Sequence, residues 1–278
     1  AQVTARFDAI CAFADIGPRV TQKSGLTASG TYAIDNVSID SYALYTNLTP
    51  AGALRGFGIP QLVWAYESHT DMIARALKRD PLEFRKQNLL RDGRPQATGT
   101  ILKDAAIEKV LDRIAERLNW KAPFDRGSGT VRRGLAVALK AVISPTTSVA
   151  NVIISADGST TLYCGTVDMG QGSDTAMAQM VGEVLNMPAE TIRVVPRDTD
   201  VTPYDMGTLG SRSLFHMGHA VRLAAEEAKA KIAALAREVG EPEGSNTPVA
   251  DLFRKKYGMQ AGNIVGTGTY KPDYIAPD

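Results

Sequence analysis

Val149-Ala150-Asn151-Val152-Ile153-Ile154-Ser155-Ala156-Asp157-Gly158-Ser159-Thr160-Thr161-Leu162-Tyr163-Cys164 reads as two short strands around a tight turn. Valine, isoleucine and threonine favour the pleated surface of a sheet, and Asp157-Gly158 is a pair that hairpin turns select. The expected strands are 149–155 and 160–164. Downstream, Asp168-Met169-Gly170-Gln171-Gly172 forms a polar glycine loop, followed by a helix expected over 175–185 and a strand over 192–196. A hairpin followed by a helix and a returning strand indicates a mixed sheet covered by helices. The expected fold class is therefore α+β (mixed α/β), in two layered lobes.

Upstream, residues 1–60 alternate short apolar stretches with Gly, Pro, Asn and Asp, which predicts strands and loops, with 31–34 and 41–44 as examples. After the turn Arg55-Gly56-Phe57-Gly58 and Pro60 the period becomes helical. Leu62, Val63, Tyr66, Ile73, Ala76 and Leu77 fall mostly on one face. Asp80-Pro81-Leu82-Glu83 opens a second helix: Asp80 suits the N-cap, Pro81 the first turn and Glu83 a capping box. That helix runs to about Leu90 and stops at Asp92-Gly93. Residues 94–101 are polar and turn-rich and set the expected boundary between a first lobe, 1–93, and a second, 94–278. An amphipathic helix follows, with Ile107, Val110, Leu111, Ile114 and Leu118 as its expected buried stripe, and then a strand over 134–143. After the acidic loop around Asp198, Gly207-Thr208-Leu209-Gly210-Ser211-Arg212-Ser213 opens a long alanine-rich helix reaching Arg237.

The 278 residues allow one large domain or two smaller ones, and a 44% hydrophobic fraction permits a sizeable core. Lysine and arginine total 31 against 30 acidic residues, so charge gives no reason to expect nucleic acid or an anionic membrane as partner. No apolar run approaches the roughly 18 residues needed to span a bilayer. The start, Ala1-Gln2-Val3-Thr4-Ala5-Arg6, lacks a secretory pattern, which predicts a cytoplasmic location and makes the sequons at Asn36 and Asn47 chance matches. Cys11 and Cys164 are too far apart for a CxxC metal or iron–sulfur pattern and read as reduced core residues. Both ends have the look of a cut piece: the chain opens within a strand-like stretch and closes on an extended, proline-containing segment from Tyr270 to Asp278.

Three loops share one design: Arg55 to Gly58, Gly170 to Ser173 and Gly210 to Ser213 each place small residues, hydroxyls or amides before a helix. Free amides at a helix start make a site for anionic or polar ligands. No GxxxxGK[ST] or GxSxG is present, and Gly266-Thr267-Gly268 precedes no helix pattern, so a P-loop, a hydrolase elbow and a dinucleotide fingerprint are excluded. His216 and His219 stand three apart on a helix without an evident third ligand, which favours packing or surface roles over a metal site; His69 stands apart. Asp198, Asp200 and Asp205 read as a solvated turn or one that bonds backbone amides, because calcium needs more oxygen ligands at regular spacing. Lys140 lies in an apolar strand whose two faces are both apolar, so alternation leaves open whether it meets solvent or a site.

Two blocks carry a resemblance. Ala53-Leu54-Arg55-Gly56-Phe57-Gly58-Ile59-Pro60-Gln61, with Asp80-Pro81-Leu82-Glu83-Phe84-Arg85, is similar to the FRGFGGPQ…DPLEFR region of the xanthine dehydrogenase/aldehyde oxidase family of molybdenum hydroxylases. Val167-Asp168-Met169-Gly170-Gln171-Gly172, with Asp198-Thr199-Asp200-Val201-Thr202-Pro203 and Gly210-Ser211-Arg212-Ser213, resembles its VEMGQG…DTDxxP…GSRS region. The matched blocks extend from about Tyr32 to Ile232. The resemblance implies an internal fragment of the molybdopterin-binding large subunit, incomplete at both ends. The cofactor it implies is molybdopterin with molybdenum, as the cytosine dinucleotide if the source is bacterial. Oxidative hydroxylation of a purine, an N-heteroaromatic or an aldehyde follows, with water as the oxygen source. By position, Leu54, Arg55 and Phe57 would line the substrate pocket, Arg55, Gly56 and Phe57 the metal side, Gly170, Gln171 and Gly172 the pterin or its phosphate, and Ser211, Arg212 and Ser213 the pterin–dinucleotide portion. If Lys140 faces that pocket, a substrate with a carboxylate or carbonyl acceptor is implied.

The chain departs from the family in places. Leu54 replaces a phenylalanine, and Ser144-Pro145 offer no aromatic where xanthine-oxidising members place a second stacking ring. The family's C-terminal GxGE loop, which carries the base, and its upstream GGFGG-type loop are absent from the sequence, and Glu67, Glu83 and Glu183 lie in helices without that context. No catalytic residue and no direct metal ligand is therefore expected in the chain. Iron–sulfur clusters and FAD would sit on partner domains or subunits, along with the rest of the molybdenum subunit. Alone, the chain would be inactive, with apolar surfaces that favour self-association. A non-catalytic scaffold or assembly module of the same fold is the competing reading.

Overall fold

The computed structural model describes the main chain of residues 2–10 and, in full, residues 16–47, 49, 52–123, 129–139, 146–259 and 261–273. Cys11, Lys140 and the end of the expected strand over 134–143 lie outside them. The chain forms two compact units that divide at residues 141/142.

In the first unit β1 (Gln2–Ile10) pairs in parallel with β2 (Ser38–Tyr45). Between them in sequence lies α1 (Gly17–Thr27), where strands and loops were expected. Its buried side is Gly17, Thr21, Lys23, Ser24 and Gly25, so no apolar stripe announces it. The helix is instead held by close polar packing: Ser41 Oγ donates to the Thr21 carbonyl at 2.8 Å, and Gly25 leaves no room for a Cβ beside Ser41.

Helix α2 (Ile59–Ala76) and α3 (Pro81–Asn88) follow as the periodicity predicts. Asp80 is the N-cap, its carboxylate accepting from the Leu82 and Glu83 amides at 2.9 and 3.1 Å. Helix α4 (Ile107–Arg117) also forms, but only Leu111 of its stripe is fully buried; Val110, Ile114 and Leu118 are exposed. Leu111 packs with Tyr32, Leu82, Leu89, Leu135 and Val137, so the turn-rich stretch 94–101 lies within the first unit.

Residues 134–139 correct another expectation. Leu135 and Val137 are buried in alternation, as a strand would have them, yet the stretch forms no strand. The Val137 amide donates to Glu67 Oε2 at 2.9 Å and its carbonyl accepts from the Tyr66 hydroxyl at 3.4 Å, so side chains take the bonds a ladder would supply. Glu67 is the hub of that core: it also accepts from the Tyr32 hydroxyl and, at 2.8 Å, from the fully buried Arg85, which pairs with Asp71 as well. Burial, reinforced by the Glu67 carboxylate, holds the Tyr32 hydroxyl well above the usual phenol range.

The second unit is a four-stranded sheet in the order β5-β4-β3-β6. Strands β3 (Ser148–Ser155) and β4 (Thr160–Cys164) make the expected hairpin. Gly158 sits at φ +89°, and its amide bonds the Ser155 carbonyl at 2.8 Å, closing a three-residue turn. Helix α5 (Ser173–Leu185) carries the chain to β5 (Ile192–Val194), parallel to β4. Helix α6 (Gly218–Glu238) follows a π-helical turn, Ser213–Met217, and α7 (Val249–Tyr257) precedes β6 (Asn263–Tyr270). Ala150, Val152, Ile154, Leu162, Met177, Val181, Val221 and Ala224 form the core between sheet and helices. Each large side chain among them contributes about 1.5–3 kcal/mol by leaving water. Strand β6, which the sequence reading did not assign, pairs with β3 along its whole length and takes in Tyr270, read above as the start of an extended closing segment.

Candidate functional site: glycine loops at one end of the sheet

The loop at 54–58 belongs to the first unit. Leu54 and Arg55 are exposed, and Phe57, partly exposed, takes φ +55°. Its glycines, Gly56 at φ +101° and Gly58 at φ +85°, serve both conformation and packing. A Cβ on Gly56 would strike Pro60, and one on Gly58 would lie 2.1 Å from Ser24 Oγ, which bonds the Gly58 carbonyl at 3.0 Å. A cleft of about 530 Å³ in this unit, lined by residues including Thr21, Gln22, Ile39 and Ser41, does not include 54–58.

Gly170, Gly172 and Gly207 behave differently. They sit at φ +96°, +77° and +104°, and a Cβ on any of them would meet nothing within 4 Å. Conformation demands glycine there, and the space above the backbone is open. Two of the loops are brought together. Strand β4 ends at Cys164, opposite Ala150, and the chain enters the loop at Val167. Thr208 Oγ1 accepts from the Val167 amide at 2.7 Å and donates to the Val167 carbonyl at 2.8 Å, which ties the second loop to the first. Cys164 is buried, as expected, and burial raises its thiol above the ordinary range.

The amides at the start of α5 already have an anion. Asp168 accepts from the Gly170 amide at 2.7 Å and from the Asp174 amide at 3.2 Å, and these backbone bonds hold its carboxyl below the usual carboxylate range. Gln171 folds back on the loop: its Nε2 donates to the Val167 carbonyl at 3.0 Å and to Ser173 Oγ at 3.2 Å. Arg197 braces the base, pairing with Asp174 and donating to the Thr166 carbonyl; burial alone would lower Arg197, but the Asp174 pairing outweighs it.

In the second loop Ser211 is exposed at φ +66° and Ser213 is half-buried, while Arg212 is fully buried. Arg212 pairs with Asp205, whose side chain is equally buried, so Asp205 is no part of a solvated turn, although it does bond a backbone amide, that of Gly207, at 2.8 Å. Asp198 remains in the exposed turn, its carboxylate accepting from the Asp200 amide. His216 is buried against Phe215 and Tyr270, and His219 stacks on Tyr270 with centroids 4.5 Å apart, which are packing roles. No cluster of three His, Cys, Asp or Glu side chains able to hold a metal occurs among the described residues, nor does a helix long and apolar enough to cross a membrane.

Sequence reasoning missed Asp168 as an organiser of these loops, and for Asp205 it gave a turn that bonds backbone amides but not the buried pairing with Arg212. The signal for Asp168 was its place two residues before a glycine at a helix start, where an acidic side chain meets free amides. Arg212 and Gln171 were found, but their side chains bond within the protein.

Sheet and loops together define a class: a mixed α/β unit in which adjoining glycine loops at one end of a sheet leave backbone open to a polar ligand. Residues 109–278 match the family model described as molybdopterin cofactor-binding domain, and residues 2–89 match a second model of the same description. The chain belongs to the molybdopterin-binding domain family of xanthine dehydrogenases and aldehyde oxidoreductases. It is 35% identical to a xanthine dehydrogenase molybdenum-binding subunit of Escherichia coli O157:H7 over 80% of its own length and 31% of that protein's. It is 27% identical to the nicotine 6-hydroxylase large subunit of Paenarthrobacter nicotinovorans, covering 87% of this chain and 32% of that one. The aldehyde oxidoreductase of Desulfovibrio desulfuricans ATCC 27774 shares the fold, with a TM-score of 0.75 at 24% identity over 100% of this chain and 30% of that one. The chain thus spans about a third of the length of the curated relatives it matches.

The residues present fit a polar, hydrogen-bonding cofactor gripped by main chain. The open glycines at 170, 172 and 207 leave backbone accessible. Next to Val167 in sequence, Thr166 Oγ1 is buried without a hydrogen-bond partner among the described residues.

Proposed function

We propose that the chain supplies part of the molybdopterin site of a molybdenum hydroxylase that oxidatively hydroxylates a purine, an N-heteroaromatic or an aldehyde, water being the oxygen source. The observation that carries this is the pair of loops joined through Val167 and Thr208, with three open glycines, in a chain of the molybdopterin-binding family. When bound, the cofactor supplies the redox chemistry. The protein's part is to bind and orient it. The backbone of Gly170, Gln171 and Gly172 faces the pterin or its phosphate, and Ser211 and Ser213 offer hydroxyls to the dinucleotide portion. Asp168 already carries negative charge at the amides of Gly170 and Asp174, which favours a neutral part of the ligand over a phosphate at that spot. In the first unit Arg55, Gly56 and Phe57, with Leu54 beside them, are assigned to the metal and substrate side.

The lobes are assigned as 1–93 and 94–278 on the spans of the two family models, 2–89 and 109–278, whereas the compact units of the fold divide at 141/142. The catalytic base, iron–sulfur clusters and FAD come from other parts of a cytoplasmic enzyme, so the chain alone is inactive. Replacing both hydroxyls (Ser211→Ala with Ser213→Ala) in the completed enzyme should cut pterin content roughly tenfold, the scale of a lost charge-assisted hydrogen bond, with helix content unchanged. Undiminished pterin in that variant would remove these serines from the site.

A further inference from the structure

We propose that Arg212 is a positioning residue, and that the Asp205–Arg212–Ser148 network sets the geometry of the second cofactor loop without touching the cofactor. This rests on the function proposed above but replaces direct contact by Arg212 with an internal role.

The network is buried, and of the guanidinium's nitrogens only Nε has no hydrogen-bond partner among the described residues. Arg212 and Ser148 are fully buried, as is the side chain of Asp205. Arg212 Nη1 donates to Asp205 and to the Gly207 carbonyl at 3.2 Å; Nη2 donates to Ser148 Oγ at 2.6 Å and to the Thr147 carbonyl at 3.2 Å. Ser148 Oγ in turn donates to Asp205 Oδ2 at 2.7 Å, and Asp205 Oδ1 accepts from the Gly207 amide at 2.8 Å. One guanidinium therefore joins the first residue of β3 to both ends of the segment 205–212.

The backbone is shaped around this network. Ser148 and Asp205 form an isolated antiparallel bridge, and Gly165 lets the chain at 203–205 approach, since a Cβ there would lie 2.8 Å from that of Asp205. Between the two anchored ends lies Ser211 at φ +66°, a conformation that a residue with a Cβ seldom adopts unaided. A lysine at 212 offers no planar fork and cannot serve four acceptors in these directions. With both Nη groups committed to acceptors inside the protein and its side chain fully buried, Arg212 acts on a ligand through where it places Ser211 and Ser213.

The test is amide hydrogen exchange on the full chain without cofactor, comparing wild type with Asp205→Asn, Arg212→Lys and Ser148→Ala, followed by pterin content of the completed enzyme. Exchange at Gly207 to Ser211 is expected to rise at least about tenfold in Asp205→Asn and Arg212→Lys, while amides of β4 and α6 keep their protection. Ser148→Ala, the mildest change, should show the same pattern to a smaller degree. Unchanged loop exchange in all three, or an equal rise throughout the unit, would overturn the proposal. So would loss of pterin in Arg212→Lys with the loop still protected, because that is the signature of direct contact. If wild type binds no pterin in the completed enzyme, the functional reading fails, whereas the exchange result still decides whether the network holds the loop.

Discussion

Gly268 of β6 lies so close to Ala220 of α6 that a Cβ on residue 268 would sit 1.9 Å from the Ala220 carbonyl oxygen. Gly266 bears the same relation to Ala224, at 2.0 Å. Ala220, Ala224 and Ala228, each fully buried, form a stripe of small residues that lets the helix rest on the strand's backbone. Either Gly→Ala change must push α6 off the sheet. We expect Gly268→Ala to destabilise the second unit by at least about 2 kcal/mol, read by circular dichroism during urea unfolding. A wild-type midpoint for that variant would contradict the packing.

Glu67 makes a complementary prediction for the first unit. It neutralises Arg85 and accepts from Tyr32 and the Val137 amide, all in the interior. Glu67→Ala leaves Arg85 with the partly exposed Asp71 and two main-chain carbonyls as partners and orphans the Val137 amide, which should cost about 3–5 kcal/mol. Both tryptophans, Trp64 and Trp120, lie in this unit, so their fluorescence in urea reports it selectively. A loss below about 1 kcal/mol would mean the network is dispensable.

Glu241 supplies a test by pH. Lys255 first, then Thr247 and Ser245, lower its carboxyl from 4.5 to about 2. Because the folded value lies below the unfolded one, its stabilising contribution is full above about 4.5 and disappears as pH falls through about 2. Carboxyl chemical shifts in Glu241 should titrate near the lower value, and Lys255→Ala should move the midpoint upward. Titration at 4.5 in the wild type would refute the pairing.

Asp168→Ala removes the carboxylate bonded to the Gly170 and Asp174 amides. Exchange should accelerate at those two amides and stay slow at Val181 in the buried body of α5. The folded carboxyl of Asp168 is depressed, so the wild type should acquire the same local pattern as pH falls through that lowered value. Equal protection in variant and wild type would show that Asp168 does not shape the loop.

These residues also show what could be read beforehand. The hairpin at Asp157-Gly158, the Asp80 cap and the helices α2 to α6 announce themselves through turn chemistry and periodicity, which are local. Helix α1 and strand β6 do not, because Thr21, Ser24, Gly25, Gly266 and Gly268 are chosen for close approach to another element rather than for a stripe. Residues 134–139 misled for the opposite reason: their alternation is real, but Glu67 and Tyr66 take the main-chain bonds of Val137. At the candidate site the glycine loops were evident from composition. That Arg212 and Gln171 turn inward depends on Asp205, Ser148 and Val167, partners that only the folded chain brings near.

On the reading proposed here, these loops are part of a molybdopterin site completed by other parts of the enzyme. Molybdenum and pterin content, measured on the chain purified alone and again on the assembly with the remaining molybdenum-subunit parts, tests it directly. We predict neither metal nor pterin in the isolated chain and both, in equal amounts, in the assembly. An assembly that contains neither would contradict the enzyme reading and leave a scaffold of the same fold.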